Sequence, residues 1–163
     1  YEIPDAVATK RHKVHSTWVM ATRPQPENLW PEAAMIWEAS EPYLYLRTTP
    51  EGRVICGGED EAFADEEARD ALIDAKTAIL ERKLAALFPQ VDARAEYRWA
   101  GTFGGSTTGI PSIGPIPGMR HCYAIIAYGG NGITFSRLAA ELIRSAIRGE
   151  RDADADLFRF GPR

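Results

Sequence analysis

Apolar positions in the first half of the chain form the short alternating or continuous runs that are typical of strands. The run His12–Thr22 is rich in apolar, β-branched and aromatic residues and predicts a strand. Alternation in "YLYLRTT" predicts another, with Tyr43 and Tyr45 on one face and Leu44 and Leu46 on the other. These stretches predict an antiparallel β region.

A hairpin is predicted where "YLYLRTT" is followed by "RVICGG". Pro50 suits the first central position of the turn, and Gly52 supplies the positive φ that closes it. The pair Gly57 and Gly58 is expected to end the second strand, and an acidic connection follows. A further short strand is predicted within "AAMIWEA".

A helix is predicted from about Asp65 to Phe88, where the apolar period changes to that of an α-helix. Acidic residues at its start suit the positive end of the helix dipole, and Pro89 stops it. The helix is expected to cover the sheet with one face. The positions predicted for that face are Ala68, Leu72, Ala75, Ile79, Lys83 and Leu87.

The second half of the chain has the pattern strand, loop, strand, helix. Ala95–Phe103 predicts a strand, and the Gly- and Pro-rich residues 104–119 predict a long loop. The stretch "HCYAIIAY" predicts a buried strand. After a glycine-rich turn, a helix is expected from about Ile133, ended by Gly149. The chain is therefore predicted to be an α+β protein.

Composition narrows the class of protein. The 163 residues are 45% hydrophobic and 26% charged, which suits a folded core, and the formal net charge is -4. No basic stripe is interleaved with aromatic residues, so nucleic acid is not expected as a partner. No apolar run is long enough to span a bilayer. Cys56 and Cys122 lie far apart in apolar runs, which favours buried reduced thiols over a metal site and suggests a cytoplasmic location.

Three glycines separate the last predicted strand from the last predicted helix in "AYGGNGITFS". The first amides of a helix lack intrahelical partners and carry partial positive charge, and glycines allow close approach to the backbone. Gly129, Gly130 and Gly132 around Asn131 therefore suit an electron-rich ligand, with a plain structural turn as the alternative. The stretch has neither the Lys-Ser/Thr pair of a phosphate-binding loop nor the GxGxxG order of a dinucleotide fold.

Side chains that could carry catalysis by themselves are not evident. His12, His15 and His121 have no nearby Asp or Ser in a triad-like context, and no pair of carboxylates stands out from the charged helix face. The residues alone indicate no nucleophile, metal site or general base, so the catalytic residues stay unknown. If the protein is an enzyme, its reactive group is expected to be a cofactor.

The segment from Trp99 to Gly149 resembles the C-terminal part of the flavin-dependent amine and amino-acid oxidoreductases, the superfamily of D-amino-acid oxidase, glycine oxidase and sarcosine oxidase. The matching stretches are "WAG", "TTGIPSIGPIPG", "CYAIIAYGGNGITFS" and the helix through "AAELI". The earlier stretches "STWVMATRPQP" and "YLYLRTTPEGRVICGGEDE" look like the substrate-domain sheet of that family. The resemblance implies an antiparallel substrate-domain sheet with one covering helix in residues 1–98. It implies the C-terminal strand-loop-helix of an FAD-binding domain in residues 99–163.

The resemblance also implies that the complete protein oxidises the C–N bond of an amine or amino acid by passing hydride to FAD. The dipole of the last helix is expected to point at the pyrimidine end of the flavin, where negative charge collects on reduction. Neither cysteine stands at the family's flavin-linking position, so non-covalent FAD is expected. The positions that carry over as flavin contacts are Gly109, Ile110, Pro111, Gly129, Gly130, Asn131, Gly132, Ile133 and Thr134.

Departures from the family pattern bear on the substrate. Phe103, Gly130 and Thr134 stand where relatives place an Arg or a Lys, so an α-amino acid held in the usual way is not favoured. A primary or secondary amine, as in the γ-glutamylputrescine oxidase-like branch, is favoured instead. Arg47 or Arg98 is a candidate to replace the lost anchor, and the alternative for both is a solvated strand arginine. The residues predicted for the substrate pocket are Tyr45, Arg47, Arg98, Phe103 and Tyr128.

The family's N-terminal GxGxxG unit is absent from the 163 residues. The chain is therefore expected to be a C-terminal fragment, inactive alone, whose FAD site is completed by an N-terminal Rossmann portion or by a partner chain. Two other hypotheses stay open: a stand-alone α+β binding module, and a non-catalytic subunit of a hetero-oligomeric dehydrogenase. The identity of the amine, the electron acceptor and the oligomeric state are not predicted.

Overall fold

The computed structural model describes Val7 and residues 11–161, which form an α+β structure. The chain divides into two compact units. The sheet unit is Ser16–Thr102, and the turn unit combines the described residues before Ser16 with the described residues after Thr102. The predicted α+β class is confirmed. The assignment of residues 1–98 and 99–163 to substrate-binding and FAD-binding parts stays a prediction.

Seven strands and four α-helices follow one another along the described residues. The strands are β1 (His12–Thr22), β2 (Ile36–Trp37), β3 (Leu44–Thr48), β4 (Val54–Glu61), β5 (Ala95–Ser106), β6 (Ser112–Pro115) and β7 (Tyr123–Ile126). The helices are α1 (Glu66–Ala71), α2 (Ile73–Leu87), α3 (Gly132–Arg148) and α4 (Ala155–Phe158). The first five strands form one sheet in the order β2-β3-β4-β1-β5, and β6 pairs with β7 in a second sheet.

The core of the sheet unit lies between the large sheet and α2. Leu46, Cys56 and Met20 form one row across three strands, and each is 1% exposed or less. Leu80 and Leu84 of α2 belong to the same cluster and are 0% exposed. Burying an aliphatic side chain of this size stabilises the fold by roughly 1.5–3 kcal/mol. Apolar packing between the sheet and the helix therefore holds this unit together.

The β3–β4 hairpin has the predicted turn. Gly52 has a φ of 84°, and its amide donates to the Thr49 carbonyl at 2.9 Å. The Thr49 amide donates to the Arg53 carbonyl at 3.0 Å. The predicted alternation in β3 is also confirmed, because Leu44 and Leu46 are both buried.

The prediction that β4 ends at its two glycines is wrong, because the strand continues to Glu61. Gly57 pairs with Tyr45 of β3 on one side and with Val19 of β1 on the other. A central strand makes backbone hydrogen bonds to both neighbours, and this outweighs the weak strand preference of glycine. Part of the predicted acidic connection is therefore strand.

Gly57 also makes room for a neighbouring side chain. A Cβ at this position would lie 2.3 Å from the Cζ and Oη atoms of Tyr45, far closer than non-bonded atoms approach. The Tyr45 ring occupies the space that any larger residue at position 57 would need. The orientation of Tyr45 therefore depends on the glycine opposite it.

The predicted single helix is two helices with a break at Leu72, and of the apolar positions predicted for its buried face only Leu72 is among the residues that pack against the core. The predicted Leu87 is 49% exposed. The residues of α2 that are buried are Thr77, Leu80 and Leu84. At the break the Leu72 amide donates to the Arg69 carbonyl at 3.1 Å, three residues back, which tightens the last turn of α1. The tighter turn changes the direction in which the side chains that follow it point. The apolar period counted from α1 therefore does not identify the buried residues of α2.

The predicted long loop at residues 104–119 is also wrong, because much of it is strand. β5 continues to Ser106, and the Thr107 amide just beyond it donates to the Arg11 carbonyl at 3.0 Å. β6 lies in the same stretch and pairs antiparallel with β7. Ile113 of β6 is 3% exposed and belongs to the core of the turn unit. Backbone pairing and burial thus form a strand where Gly and Pro weaken the sequence signal.

The last predicted helix is confirmed as α3. It ends at Gly149, whose φ of 71° is the left-handed conformation expected of a glycine C-cap. Ala139 and Leu142 of α3 pack in the core of the turn unit with Phe158, which is 9% exposed. Leu157, the neighbour of Phe158 in sequence, is 53% exposed and lies outside this core.

Replacing Gly57 with Ala is expected to lower the free energy of unfolding by about 1–3 kcal/mol, because the new Cβ collides with the Tyr45 ring. Chemical denaturation measures this change. The matched control is Gly101→Ala in β5, where a Cβ would meet nothing within 4 Å and little effect is expected. The cost of Gly57→Ala should shrink in a Tyr45→Ala background. An equal cost in both backgrounds would show that Tyr45 is not the cause.

Candidate functional site

The turn between β7 and α3, together with the first residues of α3, contains six of the nine predicted flavin contacts. We call residues 127–132 the glycine turn. Gly129 has a φ of 57°, and its amide donates to the carbonyl of Gly104 in β5 at 2.8 Å. The Asn131 amide donates to the Tyr128 carbonyl at 3.2 Å. These two bonds fix the path of the chain from the end of β7 into α3.

The amides at the start of α3 precede the helical hydrogen-bond ladder. Asn131, the N-cap residue, makes no capping bond with its side chain, and the first turn holds no acidic residue. The Phe135 amide donates to the Asn131 carbonyl at 3.0 Å. The amides of Gly132, Ile133 and Thr134 come before it and have no intrahelical acceptor. This end of α3 therefore has a partial positive charge that no acidic side chain in the first turn offsets.

Gly130 has neither a conformational nor a packing reason to be glycine within the described part of the chain. Its φ is outside the left-handed region, and a Cβ there would meet nothing within 4 Å. At Gly132, by contrast, a Cβ would lie 3.2 Å from the Tyr128 ring. Ile133 is 91% exposed, and Gly130 and Asn131 are exposed as well. Another molecule can therefore approach the backbone closely at this point.

The other predicted flavin segment is a tight turn between β5 and β6. Gly109 has a φ of 72°, and its amide donates to the Ser106 carbonyl at 3.2 Å. The Ser106 hydroxyl donates to the Ile110 carbonyl at 2.8 Å. Gly109 is exposed, Ile110 is half-buried and Pro111 is buried. Of the three predicted contacts in this turn, Gly109 is the accessible one.

Two residues predicted for the substrate pocket share a face of the large sheet. Tyr45 and Arg47 point away from the buried leucines of β3, as the alternation requires. Trp37 of β2 pairs with Tyr45, and the Trp37 and Tyr43 ring centroids are 5.7 Å apart. The Tyr43 and Tyr45 centroids are 6.3 Å apart. We call this set, Trp37, Tyr43, Tyr45 and Arg47, the tyrosine face.

Both tyrosines of this face stay neutral at ordinary pH. Burial raises the pKa of Tyr43, and the bond from its hydroxyl to the Asp60 carboxylate raises it further. Burial likewise raises the pKa of Tyr45 to about 12, and the negative charge of Asp60 adds to the shift. A neutral phenol can donate and accept a hydrogen bond. The face therefore offers uncharged polar partners next to the exposed Arg47.

Arg98 lies on the opposite face of the sheet. Its guanidinium pairs with Asp74 of α2 at 3.1 Å, and α2 covers the face away from Tyr45. Ala100, two residues further along β5, packs against the same buried core. The structure therefore does not bring Arg98 together with Tyr45 and Arg47.

Phe103 and Tyr128 belong to the turn unit, where they flank the bond that fixes the glycine turn. Phe103 precedes Gly104 in β5 and stacks on His15, with ring centroids 5.5 Å apart. Tyr128 directly precedes Gly129 and is half-buried. These two predicted pocket residues therefore adjoin the predicted flavin contacts of the glycine turn.

The sequence reasoning misses three residues around the tyrosine face: Trp37, Tyr43 and Asp60. The alternation in β3 places Tyr43 beside Tyr45, so a usable signal exists for that residue. Trp37 joins the face only through the register between β2 and β3. Asp60 lies beside the face only because β4 continues past its glycines.

Other chemistry is limited in the described residues. No group of three or more His, Cys, Asp or Glu there could hold a metal ion. Both cysteines are free thiols, as predicted, although Cys122 is only half-buried. Burial raises the pKa of the Cys56 thiol to about 12, so this thiol stays protonated. His12 Nε2 lies 3.1 Å from the Ser112 hydroxyl, and burial lowers the pKa of His12.

Among the described helices, none combines the length and apolar character needed to cross a membrane.

Comparison with known proteins gives a family and a fold. The family model "DAO: FAD dependent oxidoreductase" matches residues 6–146. The resemblance drawn from the sequence motifs is thereby confirmed. The chain is 30% identical over 109 residues to the Gamma-glutamylputrescine oxidoreductase of Escherichia coli K12, a match that covers 66% of this chain and 24% of that protein. It is 25% identical over 107 residues to the Probable oxidoreductase OrdL of Haemophilus influenzae, a match that covers 65% of this chain and 22% of that protein.

The chain thus spans about a quarter of the length of these curated relatives. Among solved structures it is similar to glycine oxidase from Geobacillus kaustophilus, with a TM-score of 0.69 and 18% identity. That similarity covers 93% of this chain and 39% of the glycine oxidase chain, and it shows a shared fold.

The raised pKa of Tyr45 predicts a loss of stability at alkaline pH. A tyrosine whose pKa is higher in the folded protein than in the unfolded chain stabilises the fold below pH 10, and this contribution disappears as pH rises through about 12. Unfolding free energies at pH 8 and at pH 11.5 measure the fall. Tyr45→Phe, which cannot ionise, is expected to reduce the fall by roughly 1–2 kcal/mol. An identical fall in the wild type and the variant would contradict the raised pKa.

Proposed function

The chain belongs to the DAO family of FAD dependent oxidoreductases, and we propose that the full protein oxidises the C–N bond of an amine or amino acid by hydride transfer to FAD. An amine is the favoured substrate. FAD is held without a covalent link. Its binding site is completed by an N-terminal Rossmann portion or by a partner chain. This chain spans about a quarter of the length of its curated relatives, which supports a contribution to the FAD site from outside the chain. A cytoplasmic location stays a prediction.

The observation that carries the proposal is the exposed positive end of α3. Its first amides have no intrahelical acceptor, and its first turn holds no acidic side chain. Gly130 leaves the backbone uncovered where neither its own φ nor a neighbouring atom requires glycine. An anionic or electron-rich ring edge fits such a helix start. The residues present therefore fit the flavin of FAD.

The residues of the glycine turn act by position and charge. FAD, when bound, accepts the electron pair and the hydrogen removed from the carbon beside the amine nitrogen. The amides of Gly132, Ile133 and Thr134 stabilise negative charge that develops near them, because they are fixed before the reaction and need no reorganisation. Gly129 holds these amides in place through its bond to Gly104. Gly109 offers the second accessible backbone position.

The tyrosine face supports a role in substrate binding. Tyr43 and Tyr45 are neutral donors and acceptors on a partly exposed aromatic surface, and the exposed Arg47 is beside them on the same strand. Because the family resemblance places Phe103, Gly130 and Thr134 where relatives have an Arg or a Lys, an amine is favoured over an α-amino acid. The name of one similar protein, the Gamma-glutamylputrescine oxidoreductase of Escherichia coli, also supports an amine.

A screen of amines and amino acids for bleaching of the flavin absorbance without oxygen tests the proposal. It uses the full-length protein with its bound flavin. Primary or secondary amines are expected to bleach the flavin. Bleaching by D-amino acids and not by amines would contradict the substrate preference, and no bleaching by either class would contradict the proposed reaction.

A pair of variants connects the result to the glycine turn. Gly130→Leu is expected to weaken FAD binding at least tenfold while the circular dichroism spectrum is retained, because the exposed side chain covers the start of α3. Ala140→Leu, at an exposed position further along the same helix, is the matched control and should bind FAD normally.

A further inference from the structure

A cleft with acidic and aromatic walls lies at the β2 edge of the sheet unit. It has a volume of about 420 Å³ and opens to the surface. Its lining residues are Trp37, Glu38, Ala39, Ser40, Glu41 and Tyr43, which we call the acidic cleft. Small-molecule sites have volumes of about 300–1,000 Å³, so the cleft can hold a small organic group.

Two aromatic rings form the apolar wall of the acidic cleft. Trp37 is 66% exposed, and its ring centroid is 5.7 Å from that of Tyr43 at an angle of 46°. Such large exposed aromatic surface is suited to a ligand cation, because the face of an aromatic ring carries partial negative charge. Trp37 and Tyr43 thus provide two π-faces on one surface.

The loop between β2 and β3 holds the cleft in shape. The Glu38 amide donates to the Leu44 carbonyl at 2.9 Å, which closes the loop at its base. The Ser40 hydroxyl donates to the Pro42 carbonyl at 3.3 Å. The side chains of the loop are therefore presented by a backbone that is tied at two points.

The charge around the cleft is negative. Glu38 and Glu41 line it and are exposed, and neither has an ion pair among the described residues. Behind Tyr43, the Asp60 carboxylate accepts the phenol hydrogen bond. Its Oδ1 atom is buried and has no hydrogen-bond partner among the described residues. A buried carboxylate oxygen without a hydrogen-bond donor is costly, and Asp60 adds a third acidic side chain beside the aromatic wall.

We propose that the acidic cleft binds an alkylammonium group. The combination of two π-faces with three carboxylates favours an organic cation over an anion or a neutral group. If the proposed function holds, on which this role rests, the group is the non-reacting cationic end of a diamine or polyamine-like substrate. Arg47 lies at the other end of the tyrosine face, roughly 13 Å along β3 from Tyr43, and repels a second cation from that end. The substrate is thereby oriented with its remote ammonium group in the cleft.

A binding measurement tests the cleft without depending on catalysis. Tetramethylammonium is the probe, since it has no N–H and cannot form an imine, and tert-butanol is the neutral control of similar shape. Isothermal titration calorimetry and ligand-observed NMR with the full-length protein are expected to show millimolar binding of the cation and none of the alcohol. Absence of binding, or equal binding of both probes, would overturn the proposal.

Matched variants locate the probe. Trp37→Leu and the double variant Glu38→Gln/Glu41→Gln are each expected to weaken tetramethylammonium binding roughly three- to thirtyfold. Glu67→Gln on α1 removes one carboxylate charge at an exposed position outside the cleft and should leave binding unchanged. Unchanged binding in both cleft variants would place the cation elsewhere and contradict the proposal.

A kinetic measurement distinguishes failure of the cleft proposal from failure of the proposed function. The double variant is expected to raise KM for 1,4-diaminobutane relative to n-butylamine with little change in kcat. If amines are not oxidised but the probe binds as described, the proposed function is wrong and the proposal that the cleft binds an alkylammonium group is supported. If amines are oxidised and the cleft variants change neither probe binding nor the ratio of KM values, the cleft proposal fails.

Discussion

The hydrogen bond from the Gly129 amide to the Gly104 carbonyl, 2.8 Å long, is the constraint on which the candidate cofactor site depends. It ties the chain after β7 to the end of β5, so α3 starts at a fixed place and its first amides face outward. The start of α3 is open to a ligand because its amides are exposed, its first turn holds no acidic residue and Gly130 leaves the backbone uncovered. Fixed dipoles of this kind stabilise developing charge because they need not reorganise when it appears.

In the sheet unit, the two faces of one sheet carry different kinds of side chain. One face packs Leu46, Cys56 and Met20 against α2 and supplies the core. The other face carries aromatic and charged side chains that the core does not need, and Gly57 opposite Tyr45 allows one of those rings to lie across the strands. Stability and the proposed substrate recognition therefore rest on alternate residues of the same strands, as the period of a strand permits.

Local chemistry in the sequence predicts the hairpin turn at Gly52, the end of α3 at Gly149 and the presence of the glycine turn, because each depends on a few adjacent residues. The bond that fixes the glycine turn in place goes to Gly104 in β5 and is not evident from those residues. Partners distant in sequence decide the rest. The glycines of β4 stay in a strand because two neighbouring strands pair with them, and β6 forms because β7 pairs with it. Trp37 belongs to the tyrosine face and Asp60 lies beside it only because of strand register and the length of β4, whereas Arg98 lies on the opposite face, where it pairs with Asp74 of α2.

The reduction potential of FAD in two Ile133 variants of the full-length protein tests the central claim most directly. Ile133 is 91% exposed in the first turn of α3, so Ile133→Glu and its uncharged counterpart Ile133→Gln should both fold, with the carboxylate stabilising the helix slightly. If the start of α3 stabilises charge on the reduced flavin, the Glu variant has a lower two-electron potential than the Gln variant, by about 10–30 mV. The pair Ala140→Glu and Ala140→Gln should show no such difference. Equal potentials in the two Ile133 variants would contradict the account.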